Sequence, residues 1–304
     1  MGNQQELVEK RRRDFEFAVS ERHGEAITMT THELMIKTNH HLIKGGELSE
    51  AQKANIVRQF LAAQSDEQTK QSFYKGVKYP GNADKNGGGH MYPIYFIPPY
   101  NENKKYQTVI PMSPKTHILS ANSYELEIIR LLHLFSPGDD AIKDMVKNSL
   151  ARLKTTCYGY QNCDVGECFH TALIVLRFVA ATAPDDSAWI NKLLAFFLEH
   201  MDEKLALRGK GVHGNVAWYY WLCLSELPIA LAEAEILRYK DRIIGQLNRS
   251  SVMNSENDKI NHPVLICAIR NALSRLPEYE YIKSHQPYVS EKDGRLHFDM
   301  GKAE

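Results

Sequence analysis

The chain has 304 residues, 37 Lys+Arg against 37 Asp+Glu, 43% hydrophobic residues and 24% charged residues. A formal charge of zero gives no whole-molecule field for nucleic acid or an anionic membrane, and this apolar content excludes a disordered chain. The length suits one large domain, or one with a small subdomain.

The first residues, MGNQQELVEKRRRDFEF, contain no apolar signal core. Glu6 stands where N-myristoylation needs Ser or Thr. Residues 6–20 predict an amphipathic helix whose basic knot, Lys10 to Arg13, is neutralised by Glu9, Asp14 and Glu16. Residues 30–42 predict a second helix, with Thr31 as cap and Gly45-Gly46 as terminator. Residues 49–63 predict a third, with Ser49 as cap and Gln52 at the capping-box position.

Residues 76–118 change character. Glycines and the prolines 80, 93, 98, 99 and 111 break helical periodicity. Residues 91–97 and 106–112, rich in aromatic and β-branched side chains, predict the arms of a β-hairpin around Asn101-Glu102-Asn103-Lys104. Gly87-Gly88-Gly89 lacks a following Lys-Ser/Thr and opens no helix, so it is not a P-loop. The loop 79–90 that holds it reads as a flexible lid.

Four apolar helices follow, starting at Asn122-Ser123, at Asp164 to Glu167, at His213-Gly214-Asn215 and at Asn261-His262-Pro263. Between them lie helices with one apolar face, at 140–153, 186–205 and 228–247. The alternation predicts a mainly α protein of repeated α-hairpins. The apolar helices are inside, in an α/α-toroid or tight superhelix. The expected division is N-terminal helices (1–75), loop and hairpin (76–118) and hairpin repeats (119–304), packed as one unit. Charges belong mostly to the outer helices, with Asp164 and Glu167 as exceptions. In a ring, the inner-helix N-termini and their free N–H groups converge on one mouth. Its candidate lining is Asn122, Asp164, Glu167, Cys168, His213, Asn215, Asn261 and His262. The longest apolar run, 171–183, is interrupted by Arg177 and is too short to span a bilayer.

The five cysteines are an odd number and argue against a disulfide framework, so a reducing cytoplasm is the default. Cys223 and Cys267 sit in apolar helical patterns and read as buried small hydrophobes. Cys157, Cys163 and Cys168 share one short segment with Asp164, Glu167 and His170. Thiolate and imidazole are ligands that zinc prefers, although these spacings match no standard finger. His170, two residues after Cys168, falls on a different helix face.

Cys157-Tyr158-Gly159 before the second inner helix, and Val212-His213-Gly214 at the third, resemble motifs of lanthionine cyclases, which are α/α-toroid enzymes. The resemblance implies Cys157 and His213 as zinc ligands. It departs at Val212, where that family places a second cysteine, so Cys163 or Cys168 would have to replace it. Asn261-His262 resembles the Asn-His pair of toroid polysaccharide lyases; read without that resemblance, Asn261 is a helix cap.

Two readings follow. In the first, the chain is a lyase- or transferase-type enzyme acting on a small-molecule or peptidic substrate by addition or elimination, with zinc as its cofactor. Cys157, Cys163 and His213 hold the metal. Cys168, His213, Asp164 and Glu167 do the chemistry. Tyr158, Tyr160, Asn215, Trp218, Asn261 and His262 bind substrate. In the second, it is a helical scaffold that binds a protein or peptide. Neither reading includes nucleic acid or a membrane. No G-x-S-x-G, H-E-x-x-H or dinucleotide fingerprint occurs.

Overall fold

A computed structural model describes residues 29–76, 91–98, 106–112, 114–206, 216–247, 251–252, 256–284, 288–292 and 295–299. For 203–206, 251–252, 256–262, 284, 288–292 and 295–299 it describes the backbone alone. The expected helix 6–20, the loop 79–90, His213 and Asn215 lie outside the described residues.

Helix α1 (Thr31–Ile43) is capped by Thr30, one residue before the expected Thr31, in a capping box with Glu33. Gly45, at φ +75°, follows its end. Helix α2 (Glu50–Ala62) has the expected Ser49–Gln52 box. Helix α3 (Glu67–Gly76) was not expected; Asp66 accepts from the Thr69 N–H at its start.

The remaining helices are α4 (His117–Phe135), α5 (Asp140–Leu153), α6 (Glu167–Thr182), α7 (Ser187–Ala206), α8 (Val216–Glu226), α9 (Ile229–Leu247) and α10 (Glu256–Leu273). A 3₁₀ segment, Pro277–Ser284, follows α10. The chain is thus mainly helical. Helices α4, α6 and α8 are buried nearly all round, whereas α5 and α9 bury one face, as the apolar patterning implies. Two starts differ from expectation. Helix α4 begins at His117, which puts Asn122 in its second turn. Helix α10 begins at Glu256 and carries Pro263 inside it, so Asn261 does not cap it.

The expected hairpin is absent: no strand occurs among the described residues of 91–98 and 106–112. The prolines withhold ladder donors, and distant side chains take the backbone groups instead. Glu125 of α4 accepts from the N–H groups of Ile94, Tyr95 and Phe96 at 2.7, 2.6 and 3.2 Å. His32 and His40 of α1 bond the carbonyls of Gln107 and Val109 at 3.0 and 2.8 Å. Strands occur elsewhere, as β1 (Ser251–Val252), β2 (Tyr288–Lys292) and β3 (Arg295–Asp299), in an antiparallel sheet ordered β1-β3-β2. Asp293-Gly294 between β2 and β3 is the sequence signal for that hairpin.

Helix contacts run from α1 to α4, α4 to α6, α6 to α8, α8 to α10, and α10 back to α1. Helices α2, α5, α7 and α9 pack on α4, α4, α6 and α10 respectively. At one end of this circuit, the final turns of α1, α4, α6, α8 and α10 all contribute to one cavity. At the other end lie the first turn of α6 and the segment at Met91, which covers Asn122.

Candidate functional site

The loop between α5 and α6 brings three thiols together. Its bends are fixed by hydrogen bonds close in sequence: Thr156 Oγ1 accepts from Gly159 N at 2.9 Å, and the Cys157 carbonyl accepts from Gln161 N and Cys163 N. A Cβ at Gly159 would lie 2.2 Å from the Leu153 carbonyl oxygen, so no other residue fits without a shift. The Gly159 carbonyl accepts from Trp189 Nε1 of α7 at 2.8 Å. Asn162 and Gly166 adopt left-handed φ values of 57° and 55°, which turn the chain back toward α6. Cys168 then falls in the first turn of α6.

The Cys157, Cys163 and Cys168 sulfurs all lie within 4.8 Å of one another, with Cys157 and Cys168 at 3.8 Å. All three are partly buried. Hydrogen bonding from Cys168, aided by Cys163, outweighs burial and lowers the Cys157 thiol to about 6. The same contact with Cys157, together with burial, drives Cys168 upward. One thiolate among neighbouring thiols at a helix N-terminus is a donor set suited to a soft metal ion.

The other expected site residues divide between scaffold and surface. The Glu167 carboxylate accepts from the N–H groups of Lys115 and Thr116 and from the Thr116 hydroxyl, and so fastens the entry to α4. Tyr158 is fully buried, and its hydroxyl donates to the Met91 carbonyl at 2.7 Å. Asn122 is likewise committed, donating to Met91 and Ile118 carbonyls and accepting from Arg152. Tyr160 is exposed beneath Lys192, whose Nζ sits 3.8 Å from the ring centroid. Trp218 packs edge-on against Trp221 at 5.7 Å. Asp164 is half-buried beside Cys163. His170 is buried in α6 and is not among the three-thiol group. Only the backbone is described at Asn261 and His262. Cys223 and Cys267 are buried as expected.

Charges are expected mostly on the outer helices, and there the structure differs. Glu125, Glu127, Arg130 and Arg177 are all buried in α4 and α6. Arg177 is the hub. Its Nε and Nη2 donate to the two Glu226 oxygens at 2.7 Å each, and Nη1 reaches Glu127 at 2.9 Å and Asn39 at 3.0 Å. Glu127 also accepts from Arg130 Nε at 3.0 Å and from the Tyr219 hydroxyl. Burial raises the Glu127 carboxyl, but Arg177 and Arg130 outweigh it and hold the group near 2. Arg130, Arg177 and Glu226 of this network line a cavity of about 710 Å³. None of Tyr158, Tyr160 or Trp218 lines it. Charged residues inside otherwise apolar helical runs were the available sequence signal.

No family model, curated protein or solved structure matches the chain. No helix among the described residues is long and apolar enough to cross a membrane.

Proposed function

We propose that the protein is an α/α-toroid-type enzyme in which Cys157, Cys163 and Cys168 hold a zinc ion at the start of α6. One observation carries the reading: two thiols of the α5–α6 loop and one from the first turn of α6 lie within 4.8 Å of one another. Tetrahedral zinc with Zn–S bonds of about 2.3 Å has S···S edges of about 3.8 Å. The Cys157–Cys168 separation of 3.8 Å equals that edge. Zinc held by three protein ligands supplies a Lewis acid with a fourth position for substrate, water or a further ligand such as His213. The closed circuit of inner-helix contacts favours the toroid form of the fold.

The residues around the thiols take defined parts in this reading. Gly159 and Asn162 set the loop, and Glu167 anchors α6 to the entry of α4. In this reading Asp164, next to Cys163 in the chain and half-buried, is the carboxylate for proton transfer in addition or elimination on a small-molecule or peptidic substrate.

Elemental analysis of protein purified without chelator tests the proposal. We expect about one equivalent of zinc, lost in Cys→Ser variants at 157, 163 or 168. Less than about a tenth of an equivalent of any transition metal overturns it and leaves the helical-scaffold reading.

A further inference from the structure

The cavity at the opposite end of the inner helices is built differently. Cys168 and Ala181 stand at the two ends of α6, about 20 Å apart along its axis. The cavity floor holds two guanidinium groups, Arg130 and Arg177, and Arg275 adds a third from the wall. Against these three charges stand two carboxylates, Glu127 and Glu226. Lys283 sits at the rim and shares its charge with Glu280 at 3.3 Å.

The donors of Arg177 are consumed by Glu226, Glu127 and Asn39. Arg130 differs. Its Nε bonds Glu127 and its Nη2 bonds Asn39, but Nη1 comes only within 3.9 Å of Glu226 and makes no hydrogen bond among the described residues. Arg130 is 4% exposed and lines the cavity. A guanidinium nitrogen with no hydrogen bond, on a residue that lines a cavity, is open to an acceptor brought by a ligand.

Helix C-termini favour cations, which opposes an anion here. Two of these ends are already served, however. Arg275 Nη1 donates to the Ser225 carbonyl of α8 at 2.7 Å, and Asn271 donates to the Ile43 carbonyl of α1 at 2.9 Å. The rest of the lining is mixed: Ser225, Ser274 and the Glu226 carboxylate stand beside Leu42, Leu134, Ala181 and Leu222. Bare phosphate would leave the leucines wet; an acyl chain would cover them. The volume of about 710 Å³ lies inside the range of small-molecule sites.

The geometry points to a binding site for an amphipathic organic monoanion, its carboxylate on Arg130 Nη1 and its hydrocarbon against Leu42, Leu134 and Leu222. This site is independent of the three thiols and of any metal they hold.

Calorimetric titration of the full chain with octanoate tests it, with octanol and inorganic phosphate as controls. Octanoate is expected to saturate with a Kd of about 1 mM or tighter, and each control to bind at least about tenfold more weakly. Arg130→Gln should weaken octanoate by a similar factor. Because that residue also serves the buried network, Leu134→Glu is the second variant. Leu134 is 45% exposed, so the change should leave the fold intact while placing a carboxylate against the ligand. It should weaken octanoate at least about tenfold with an unchanged unfolding temperature. Octanol binding as tightly as octanoate overturns the assignment, and so does phosphate matching it. Unchanged octanoate affinity in Leu134→Glu, or no saturation by about 10 mM, does the same.

Discussion

The two ends of the inner helices carry polar groups of opposite construction. At the α6 N-terminus the thiols come from one short segment, the loop and the first helical turn after it, and Cys157 and Cys168 are 11 positions apart. At the C-terminal end, the partners of Arg177 come from α1, α4 and α8, up to 138 positions away. The first arrangement is local and half-exposed, and its geometry follows from turns in a short segment. The second exists only after α1, α4, α6 and α8 have docked. The C-terminal network should therefore govern stability, and the thiol loop should govern ligand chemistry with little weight in the fold.

Arg177→Met provides the sharpest break in that comparison. It leaves Glu127 and Glu226 without their main counter-charge, and breaking a buried pair on one side costs about 3–5 kcal/mol. Chemical denaturation should show a loss of that size. A loss below about 1 kcal/mol would mean that the network is not coupled to folding.

His40 extends the test to pH. It is the neighbour of Asn39 in α1, and burial pushes its imidazole down from 6.5 to about 4 despite the bond to the Val109 carbonyl. The unfolded chain then takes up the proton first as pH falls. The stability His40 confers is complete above pH 6.5 and is lost on descent toward about 4. A shift of this size corresponds to about 3 kcal/mol. Denaturation midpoints between pH 7.5 and 4, compared with His40→Gln, isolate it. The variant should show a flatter pH profile, and parallel profiles would remove His40 from the acid response.

The same contrast explains what could be read before folding. Inner and outer helices were legible because apolar residues recur on nearly every face of α4, α6 and α8 and on one face of α5 and α9. The Ser49–Gln52 box and the cysteine cluster were legible because each lies in a few consecutive turns. The hairpin expected over 91–112 failed because the decisive partners, Glu125, His32 and His40, are 29 to 75 positions from the backbone groups they bind. Asn122, Tyr158 and Glu167 have the residue types of a site but serve as fasteners, a distinction carried by the Met91 carbonyl and the Lys115 and Thr116 amides. The charged cavity carried a signal without its partners: Arg177 stands out in sequence inside an apolar run, but the groups it binds lie up to 138 positions away.

Gly159→Ala probes the thiol loop through its backbone. The added methyl meets the Leu153 carbonyl and the Thr156 hydroxyl, and forcing a methyl into such a contact costs about 1–3 kcal/mol. The shift would move Cys157, so metal content should fall along with stability. Thermal unfolding and elemental analysis on one preparation separate the two, and a stability loss with full metal retention would show that the thiols are placed without Gly159.

Cys163→Ser should have the smallest effect on the fold and the cleanest effect on the site. Its thiol is partly exposed and the loop turns are held by backbone bonds, so metal-free variant and metal-free parent should unfold within about 0.5 kcal/mol of each other. Serine is a poor ligand for a soft metal, so metal added back should stabilise the parent alone. Equal zinc-induced stabilisation in both would remove Cys163 from the donor set. The thiol group would then be a pair, Cys157 and Cys168, and the fourth-position argument would have to be rebuilt around His213. Stabilisation confined to the parent would complete the comparison, with one end of the inner helices holding the fold and the other holding a ligand that the fold scarcely needs.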